Sequence, residues 1–249
     1  MRTMPAPLAL AAAVVLALAP APSLAGQGAA PASGKKGPSV DAVVRKAVEA
    51  YGGKSGFARS ALRREEGTVT SLLHPGDTGQ IVRALSRPGR LRVEVEFPGT
   101  GKEVRVLDGK RGWRNGEPAE GPRLDAMVLQ AARLDVVAML AVPGTKITDG
   151  GTATVNDQLV RVLSFEPAPG LTVEAQIDPA NGRVLRTRGS AGGPHVPVAF
   201  ETTYDDFRKV DGVLVAFHEV NWANGKTTGE TVLQKVEFPR ALPPETFAP

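Results

Sequence analysis

Two segments of the chain alternate apolar and polar residues without interruption. They are residues 90–97 (RLRVEVEF) and residues 171–178 (LTVEAQID). Because successive side chains of a strand point to opposite faces, each segment predicts a strand with one apolar and one polar face. Strands of this kind build an antiparallel sheet that is covered on one side only. The inward-facing positions are Leu91, Val93, Val95, Phe97, Leu171, Val173, Ala175 and Ile177.

A helix and a series of hairpins surround these two strands. Ser39 is a suitable N-cap, the apolar residues that follow it recur at helical spacing up to Tyr51, and Gly52-Gly53 provides a left-handed stop. Pro-Gly, Asp-Gly and Asn-Gly pairs then punctuate short strands on both sides of the chain's middle. The pattern predicts about eleven strands in hairpins.

Residues 123–142 interrupt this series of short strands with a segment whose apolar residues recur at helical spacing. Leu124, Met127 and Leu134 belong to this helical stripe, but Leu129, Val136, Met139 and Leu140 make the segment apolar nearly all round. The pattern predicts a helix, or a kinked pair, that is covered on both sides. One straight helix cannot bury all four extra residues against a sheet. We therefore expect some of them to contact a ligand, or to become exposed when the ligand site is empty.

The N-terminal residues predict export. A charged start, an apolar run over residues 8–18 and the sequence Ser23-Leu24-Ala25 are typical of a signal peptide over residues 1–25. The run is shorter than the ~20 residues that a membrane-spanning helix needs, although an N-terminal anchor is the alternative. Residues 26–38 are rich in Gly, Ala, Pro and Ser and predict a flexible leader. Residues 39–249 are then expected to form a single domain.

Composition narrows the class of partner. The chain has 30 Lys and Arg against 26 Asp and Glu, and the acidic residues are interleaved with the basic ones. This weak positive charge, in an exported protein, argues against nucleic acid as a partner. The chain has no cysteine, so it has neither a disulfide nor a site for lipid attachment, and its stability must come from an apolar core. We expect a soluble monomer.

The apparent catalytic motifs have simpler interpretations. Residues 77–79 (DTG) match the triplet of aspartic proteases, but they follow Pro75-Gly76 and have no second copy, which favours a turn. Residues 52–55 (GGKS) end like a phosphate-binding loop, but they follow a helix and are better explained as its C-cap. His74, His195 and His218 are too widely spaced to suggest a metal site. The sequence therefore predicts neither catalysis nor a metal or other cofactor.

A series of turn and strand motifs runs through most of the chain. A helix ending in YGG at residues 51–53 is followed by RLRVE at 90–94, DGKRGW at 108–113, YDDFRKVDGV at 204–213 and VEF at 236–238. In this order the motifs resemble the outer-membrane lipoprotein carrier (LolA/LolB-like) superfamily. The chain is more similar to exported members of that superfamily other than the lipoprotein carrier itself.

The resemblance implies an α+β, mainly β fold, in which an unclosed antiparallel β-barrel of about eleven strands wraps around a helical lid. It also implies a periplasmic carrier that holds a lipid or lipoprotein acyl chain in an apolar cavity on the way to the outer membrane, with a membrane-anchored donor or acceptor protein as a second partner. An envelope sensor or interaction module on the same fold is one alternative, and an enzyme using the apolar pocket is another. Because aromatic residues make up only 5% of the chain, the cavity is expected to be aliphatic. The expected ligand-contacting residues are Leu91, Val93, Val95, Phe97, Val104, Val106, Met127, Leu134, Met139, Leu171, Val173, Ile177, Val215 and Phe217.

Replacing each histidine in turn tests the absence of catalysis. We expect His74→Gln, His195→Gln and His218→Gln each to keep the biological activity within a few-fold, because none of the three is positioned as an acid or base. General acid–base catalysis would instead lose ~100-fold or more. A folded histidine variant that still binds ligand but has no activity would favour the enzyme.

Overall fold

The computed structural model describes residues 38–191 and 199–249. The predicted signal peptide, leader residues 26–37 and His195 lie outside the described residues. The helices of the described part are α1 (Val40–Ala50), α2 (Gly53–Arg59), α3 (Pro122–Leu134) and α4 (Val136–Leu140), with a 3-10 turn at Pro244–Phe247. The strands are β1 (Leu62–Ser71), β2 (His74–Ser86), β3 (Arg90–Glu96), β4 (Glu103–Asp108), β5 (Arg111–Arg114), β6 (Glu117–Ala119), β7 (Thr148–Val155), β8 (Gln158–Ala168), β9 (Leu171–Ile177), β10 (Val184–Ala191), β11 (Ala199–Val210), β12 (Val213–Ala223) and β13 (Lys226–Glu237). None of the described helices is long and apolar enough to cross a membrane.

One antiparallel sheet of 13 strands contains every strand of the described part, in the order β6-β5-β4-β3-β2-β1-β13-β12-β11-β10-β9-β8-β7. Two consecutive meanders are thus joined by the pairing of β1 with β13. The edge strands β6 and β7 are not paired with each other, so the sheet is unclosed, as the sequence predicted, with two strands more than expected. The segment between these edges carries α3 and α4, and it must run from one edge of the sheet to the other.

The first helix begins and ends where the sequence predicts. The Ser39 side chain accepts a hydrogen bond from the Ala42 amide at 3.3 Å, and Gly52, with φ of 95°, follows the C-cap. The prediction missed α2, which starts directly at Gly53. Its seven residues hold a single large apolar side chain, Phe57, so hydrophobic periodicity could not reveal it.

Two glycines let α3 lie directly against the sheet. A Cβ atom at Gly112 of β5 would come within 2.8 Å of Met127 and 3.0 Å of Leu124. A Cβ at Gly189 of β10 would come within 3.3 Å of Leu129. These contacts are tighter than side chains normally allow, so a larger residue at either position would push the helix outward. The helix therefore spans the face of the sheet from β5 to β10.

The α4 part of the lid packs against α1, which corrects one expectation. Leu129, Val136 and Leu140 are buried in one core cluster together with Val43 and Ala47 of α1, and Met139 packs against the same cluster. The apolar residues that exceed one helical stripe are therefore packed in the protein core, with Leu129 against Gly189 of β10 and α4 against α1. The periodicity of the lid showed that it has two apolar sides, but it did not identify what covers the second.

A buried arginine joins the two meanders beneath the lid. Arg83 of β2, whose side chain is 3% exposed, donates through Nε to Glu65 of β1 at 2.6 Å. Its two Nη atoms donate to the two carboxylate oxygens of Glu219 on β12, each at 2.8 Å. Three strand spacings separate β2 from β12, about 14 Å in a flat sheet. The contact therefore requires the sheet to curl strongly around this point. We refer to Glu65, Arg83 and Glu219 as the arginine clamp.

The ion pairs of the clamp favour the charged forms of Glu65 and Arg83, which burial alone would disfavour. Burial alone would raise the pKa of Glu65, but Arg63 and Arg83 beside it hold that pKa below its usual range. Burial likewise opposes the charge on Arg83, whereas Glu219 and Glu65 raise the pKa of its guanidinium. Glu65 and Arg83 are therefore both charged at neutral pH.

Removing the central arginine tests the clamp. We expect Arg83→Ala to lower the free energy of unfolding by about 3–5 kcal/mol, because it leaves two buried carboxylates without their main partner. Arg64→Ala is the control, since its side chain on the same sheet is 43% exposed and pairs with Glu66 at the surface; we expect a cost within ~0.5 kcal/mol. Urea unfolding measures both, and equal costs would contradict the structural role of the clamp.

The lowered pKa of Glu65 predicts a specific acid sensitivity. A carboxylate whose folded pKa lies below its unfolded value contributes stability above the unfolded pKa, and loses it as the pH falls through the folded pKa. We expect Glu65→Gln to be less stable than the native protein near neutral pH, and to lose less stability on acidification from about pH 7 to about pH 3. Glu66→Gln, on the exposed side of β1, should track the native curve. Parallel curves for the native protein and Glu65→Gln would contradict this.

Candidate functional site

A groove of about 540 Å³ opens beside the first turns of α3. It lies where β1, β3 and β5 end and where β2, β4 and β13 begin, so it occupies one end of the curled sheet. Val69, Val95, Phe97 and Met127 provide its apolar surface. The His74 ring stacks on Phe97 with the ring centroids 4.2 Å apart. The volume is in the range of about 300–1,000 Å³ that is typical of small-molecule sites.

The groove begins where the lid stops covering the sheet. Along β3, Leu91 and Val93 are 2% and 1% exposed beneath α3, whereas Val95, two residues further on, is only half-buried. The alternation of β3 puts all three side chains on the same face. The groove is therefore a continuation of the apolar surface on which α3 packs.

Three arginines and one glutamate stand at one side of the groove. Arg105 of β4 and Arg114 of β5 are paired in register, so their side chains share a face, and Arg123 projects from the first turn of α3. Glu103 forms ion pairs with both Arg105 and Arg114. Arg105 also donates through Nη1 to Gln130 of α3 at 3.2 Å. We refer to Arg105, Arg114 and Arg123 as the arginine rim.

Arg105 is the least solvated member of the rim. Its Nε atom is enclosed by protein and has no hydrogen-bond partner among the described residues, although a Glu103 oxygen lies 3.2 Å away in an unfavourable orientation. Burial lowers the pKa of Arg105, and the Glu103 carboxylate opposes that effect. Because an arginine stays protonated in proteins, Arg105 keeps a partly desolvated positive charge.

A second, smaller cavity lies at the opposite end of the strands. It has a volume of about 70 Å³ and lies between the break in the lid and the sheet, next to the arginine clamp. Arg133 of α3 reaches into this region and donates to Thr202 at 2.8 Å, while burial lowers its pKa. Tyr51 and Tyr204 line the cavity, and burial raises the pKa of each hydroxyl. A space this small, lined by both polar and apolar side chains, suits a few water molecules and not an acyl chain.

The break between α3 and α4 is tied to the sheet. Asp135 lies at the break and accepts two hydrogen bonds at 2.6 Å from Nε and Nη2 of Arg87, which follows β2. Arg63 of β1 donates to the Leu134 carbonyl oxygen at 3.1 Å. The lid is thus anchored near the small cavity, at the end away from the groove.

The structure brings together only some of the residues predicted to contact ligand. Val95, Phe97 and Met127 line the groove. Leu91 and Val93 pack beneath α3 in the core cluster that adjoins the groove, and Leu134, the last residue of α3, packs against that cluster. The remaining lid-facing residues belong to the core beneath α1 and α4, away from the groove, and they are Met139, Leu171, Val173 and Ile177.

Val104 and Val106 are the clearest errors of the sequence-based assignment. Val104 is in register with Glu94 and Val106 with Arg92, so both valines lie on the face of the sheet opposite the lid. There they pack with Phe247 of the C-terminal 3-10 turn. The sequence showed no reason to expect a second apolar layer, because the segment that forms it is distant in the chain.

Val215 and Phe217 form a separate apolar cluster with Leu233 and Val236. Val215 also lines the small cavity near the lid break, whereas Phe217 lies beneath the guanidinium of Arg208 at 4.4 Å. Neither residue reaches the groove. The sequence did not show which end of the sheet holds the open space.

The arginine clamp had a signal in the sequence that the prediction did not use. Arg83 stands two residues from both Ile81 and Leu85, which are buried on the lid face, so strand alternation also points Arg83 inward. A charge at such a position needs a buried partner. The arginine rim offered no comparable signal, because its members come from two strands and a helix.

The other candidate groups are scattered. His218 lies between Asp205 at 2.9 Å and Glu230 at 3.4 Å, and Glu219, the next residue of the strand, points to the opposite face. Burial lowers the pKa of His218, but the two carboxylates outweigh it and raise that pKa overall. Asp77 is exposed within β2 instead of in a turn. Among the described residues, no three His, Cys, Asp or Glu side chains are grouped to hold a metal ion.

Comparison with known proteins shows the fold. No protein-family model and no curated protein sequence matches the chain. A LolA superfamily protein from Nitrosomonas europaea superposes with a TM-score of 0.58 at 12% identity, covering 84% of this chain and 97% of that one. A DUF1329 family protein from Desulfovibrio piger gives a TM-score of 0.48 at 11% identity, covering 84% and 96%. The first superposition establishes that this chain is similar to the LolA superfamily in fold.

Proposed function

We propose that this protein is a periplasmic carrier that holds a lipid or lipoprotein acyl chain in the groove beside α3, for transport towards the outer membrane. The observation that carries the proposal is the groove itself, an open space of about 540 Å³ that continues the apolar core. The likeness to a LolA superfamily protein supports it at the level of the fold.

The chemistry of the groove suits a hydrocarbon chain. Its apolar surface is formed by Val69, Val95, Met127 and a single aromatic residue, Phe97, in line with the low aromatic content of the sequence. An acyl chain placed there removes its own surface and that of these side chains from water, worth roughly 25 cal/mol per Å². Binding of this kind needs no reacting group, and the proposed role is therefore not enzymatic.

The proposed location and partners follow from the sequence. The predicted signal peptide over residues 1–25 supports export, and a sequence without cysteine offers no residue for lipid attachment. A carrier of this kind requires a donor and an acceptor, which we expect to be membrane-anchored proteins. Residues 39–249 would act as one carrier domain.

One observation favours an interaction module as the second candidate. Leu72 and Leu73, in the turn between β1 and β2, are 66% and 86% exposed, and Leu73 borders the groove. Two adjacent exposed leucines at a hairpin tip are unusual unless another molecule contacts them. Native mass spectrometry of the protein from its own periplasm separates the two functions. A bound lipid indicates carriage, whereas a specific protein partner with an empty groove indicates sensing.

A charge placed in the groove tests carriage. We expect Val95→Asp to lose the bound lipid, because a hydrated carboxylate at this position replaces apolar surface on which the hydrocarbon chain would lie, and burying it beneath the chain is costly. Val232→Asp is the matched control, since Val232 is 43% exposed on the solvent face of β13. Lipid retained after purification is measured by mass spectrometry.

Equal lipid retention in Val95→Asp and Val232→Asp would overturn the proposed function. Circular dichroism must show that both variants are folded. Val173→Asp, which the alternation of β9 also suggested, is a test of folding and not of binding, because Val173 is fully buried in the core beneath α1 and α4.

A further inference from the structure

We infer that the groove selects amphiphiles with an anionic headgroup, a phosphate or a carboxylate, which the arginine rim binds while the hydrocarbon chain lies along Val95 and Phe97. This inference rests on the proposed function, because it names the class of ligand for the same groove. Three observations support it: the charge of the rim, the unused hydrogen-bonding capacity of Arg105 and the arrangement of polar and apolar surfaces.

The rim carries more positive charge than the protein neutralises. Other arginines, such as Arg87 and Arg208, each have a carboxylate of their own, Asp135 and Asp206 respectively. In the groove, Glu103 is shared by Arg105 and Arg114, and no other carboxylate among the described residues lines this space. Arg123 forms no ion pair within the described part of the chain. The groove thus keeps a net positive charge that an anion would neutralise.

Arg105 has a donor that the protein leaves unused. Its Nη1 atom donates to Gln130, which fixes the guanidinium towards α3, and its Nε atom lies 3.2 Å from a Glu103 oxygen without forming a well-directed hydrogen bond among the described residues. Hydrogen bonds from a guanidinium to an anionic oxygen are stronger than those to a neutral group, so an anionic ligand would gain most from the remaining N–H groups of Arg105. The guanidinium plane also favours a group with two oxygens, such as a carboxylate or a phosphate.

The polar and apolar parts of the groove are separated in the way an amphiphile requires. Arg105 and Arg114 stand side by side on β4 and β5, and Arg123 faces them from α3. Val95 lies on the neighbouring strand β3, in register with Glu103, and the apolar surface continues from there to Phe97 and Val69. A headgroup at the rim would therefore leave its chain directly over the apolar surface.

Matched amphiphiles test the inference on the delipidated mature protein. The probes are palmitoyl-lysophosphatidylglycerol and palmitate, which are anionic, and monopalmitoylglycerol, which is neutral and has the same chain. We expect at least one anionic probe to bind ~10-fold more tightly than the neutral one in calorimetry at low salt, with the preference shrinking as salt is added. Lysophosphatidylglycerol bound in preference to palmitate identifies a phosphate headgroup, and the reverse identifies a carboxylate.

Variants that remove charge from the rim test whether these arginines produce the preference for anionic headgroups. Arg114 and Arg123 are both exposed, so the double variant Arg114→Gln/Arg123→Gln is expected to fold and to lose most of the ~10-fold preference. Arg111→Gln is the control, because Arg111 lies on the same strand as Arg114 but stacks over Trp113, outside the groove. We expect it to keep the native preference.

The outcomes separate this inference from the proposed function. Equal binding of neutral and anionic probes would overturn the headgroup preference and leave carriage intact. A preference that survives in the Arg114/Arg123 double variant would overturn the role of the rim. Failure of all three probes to bind would overturn both the preference and the proposed function.

Discussion

The contact of Arg83 with Glu65 and Glu219 is the constraint around which the concave side of the molecule is arranged. It links strands from both meanders across three strand spacings, so it is compatible only with a strongly curled sheet. A buried ion cluster adds little stability over a well-packed apolar one, but it is costly to break and specifies one arrangement of its strands. Because this contact fixes the curl, the inner face of the sheet is concave. We refer to this concave face as the trough, and the lid helices α3 and α4 can fill it.

The connectivity explains why the trough contains helices. The two edge strands, β6 and β7, lie at opposite ends of the strand order, and the segment between them has to cross the trough. Gly112 and Gly189 let α3 pack closely along this path, and α1 packs against α4. Most of the trough is thereby packed as an ordinary core. The groove is the region beside the first turns of α3, which stays open.

The two ends of the trough differ in their chemistry. At the lid break, Arg87 and Arg63 anchor the helices and a cavity of about 70 Å³ lies among polar groups. At the other end, the groove combines an apolar surface with a rim of arginines that share one glutamate. An amphiphile with an anionic headgroup matches the second end and not the first. The exposed leucines of the β1–β2 turn stand next to the same opening, where a ligand would enter or leave.

The sequence by itself determined the local structure, because local structure depends on periodicity and turn chemistry. The alternation of residues 90–97 and 171–178, the cap at Ser39 and the two-sided lid over residues 123–142 all reappear in the structure. Alternation assigns a residue to a face, but it does not say where that face is covered. Only the tertiary structure decided that Val95 lines the groove, that Val173 is packed and that Val106 is buried on the opposite face beneath Phe247. The arginine rim likewise depends on the register of β4 with β5 and on the path of α3, because residues from three elements meet there and no local pattern in the chain encodes their meeting.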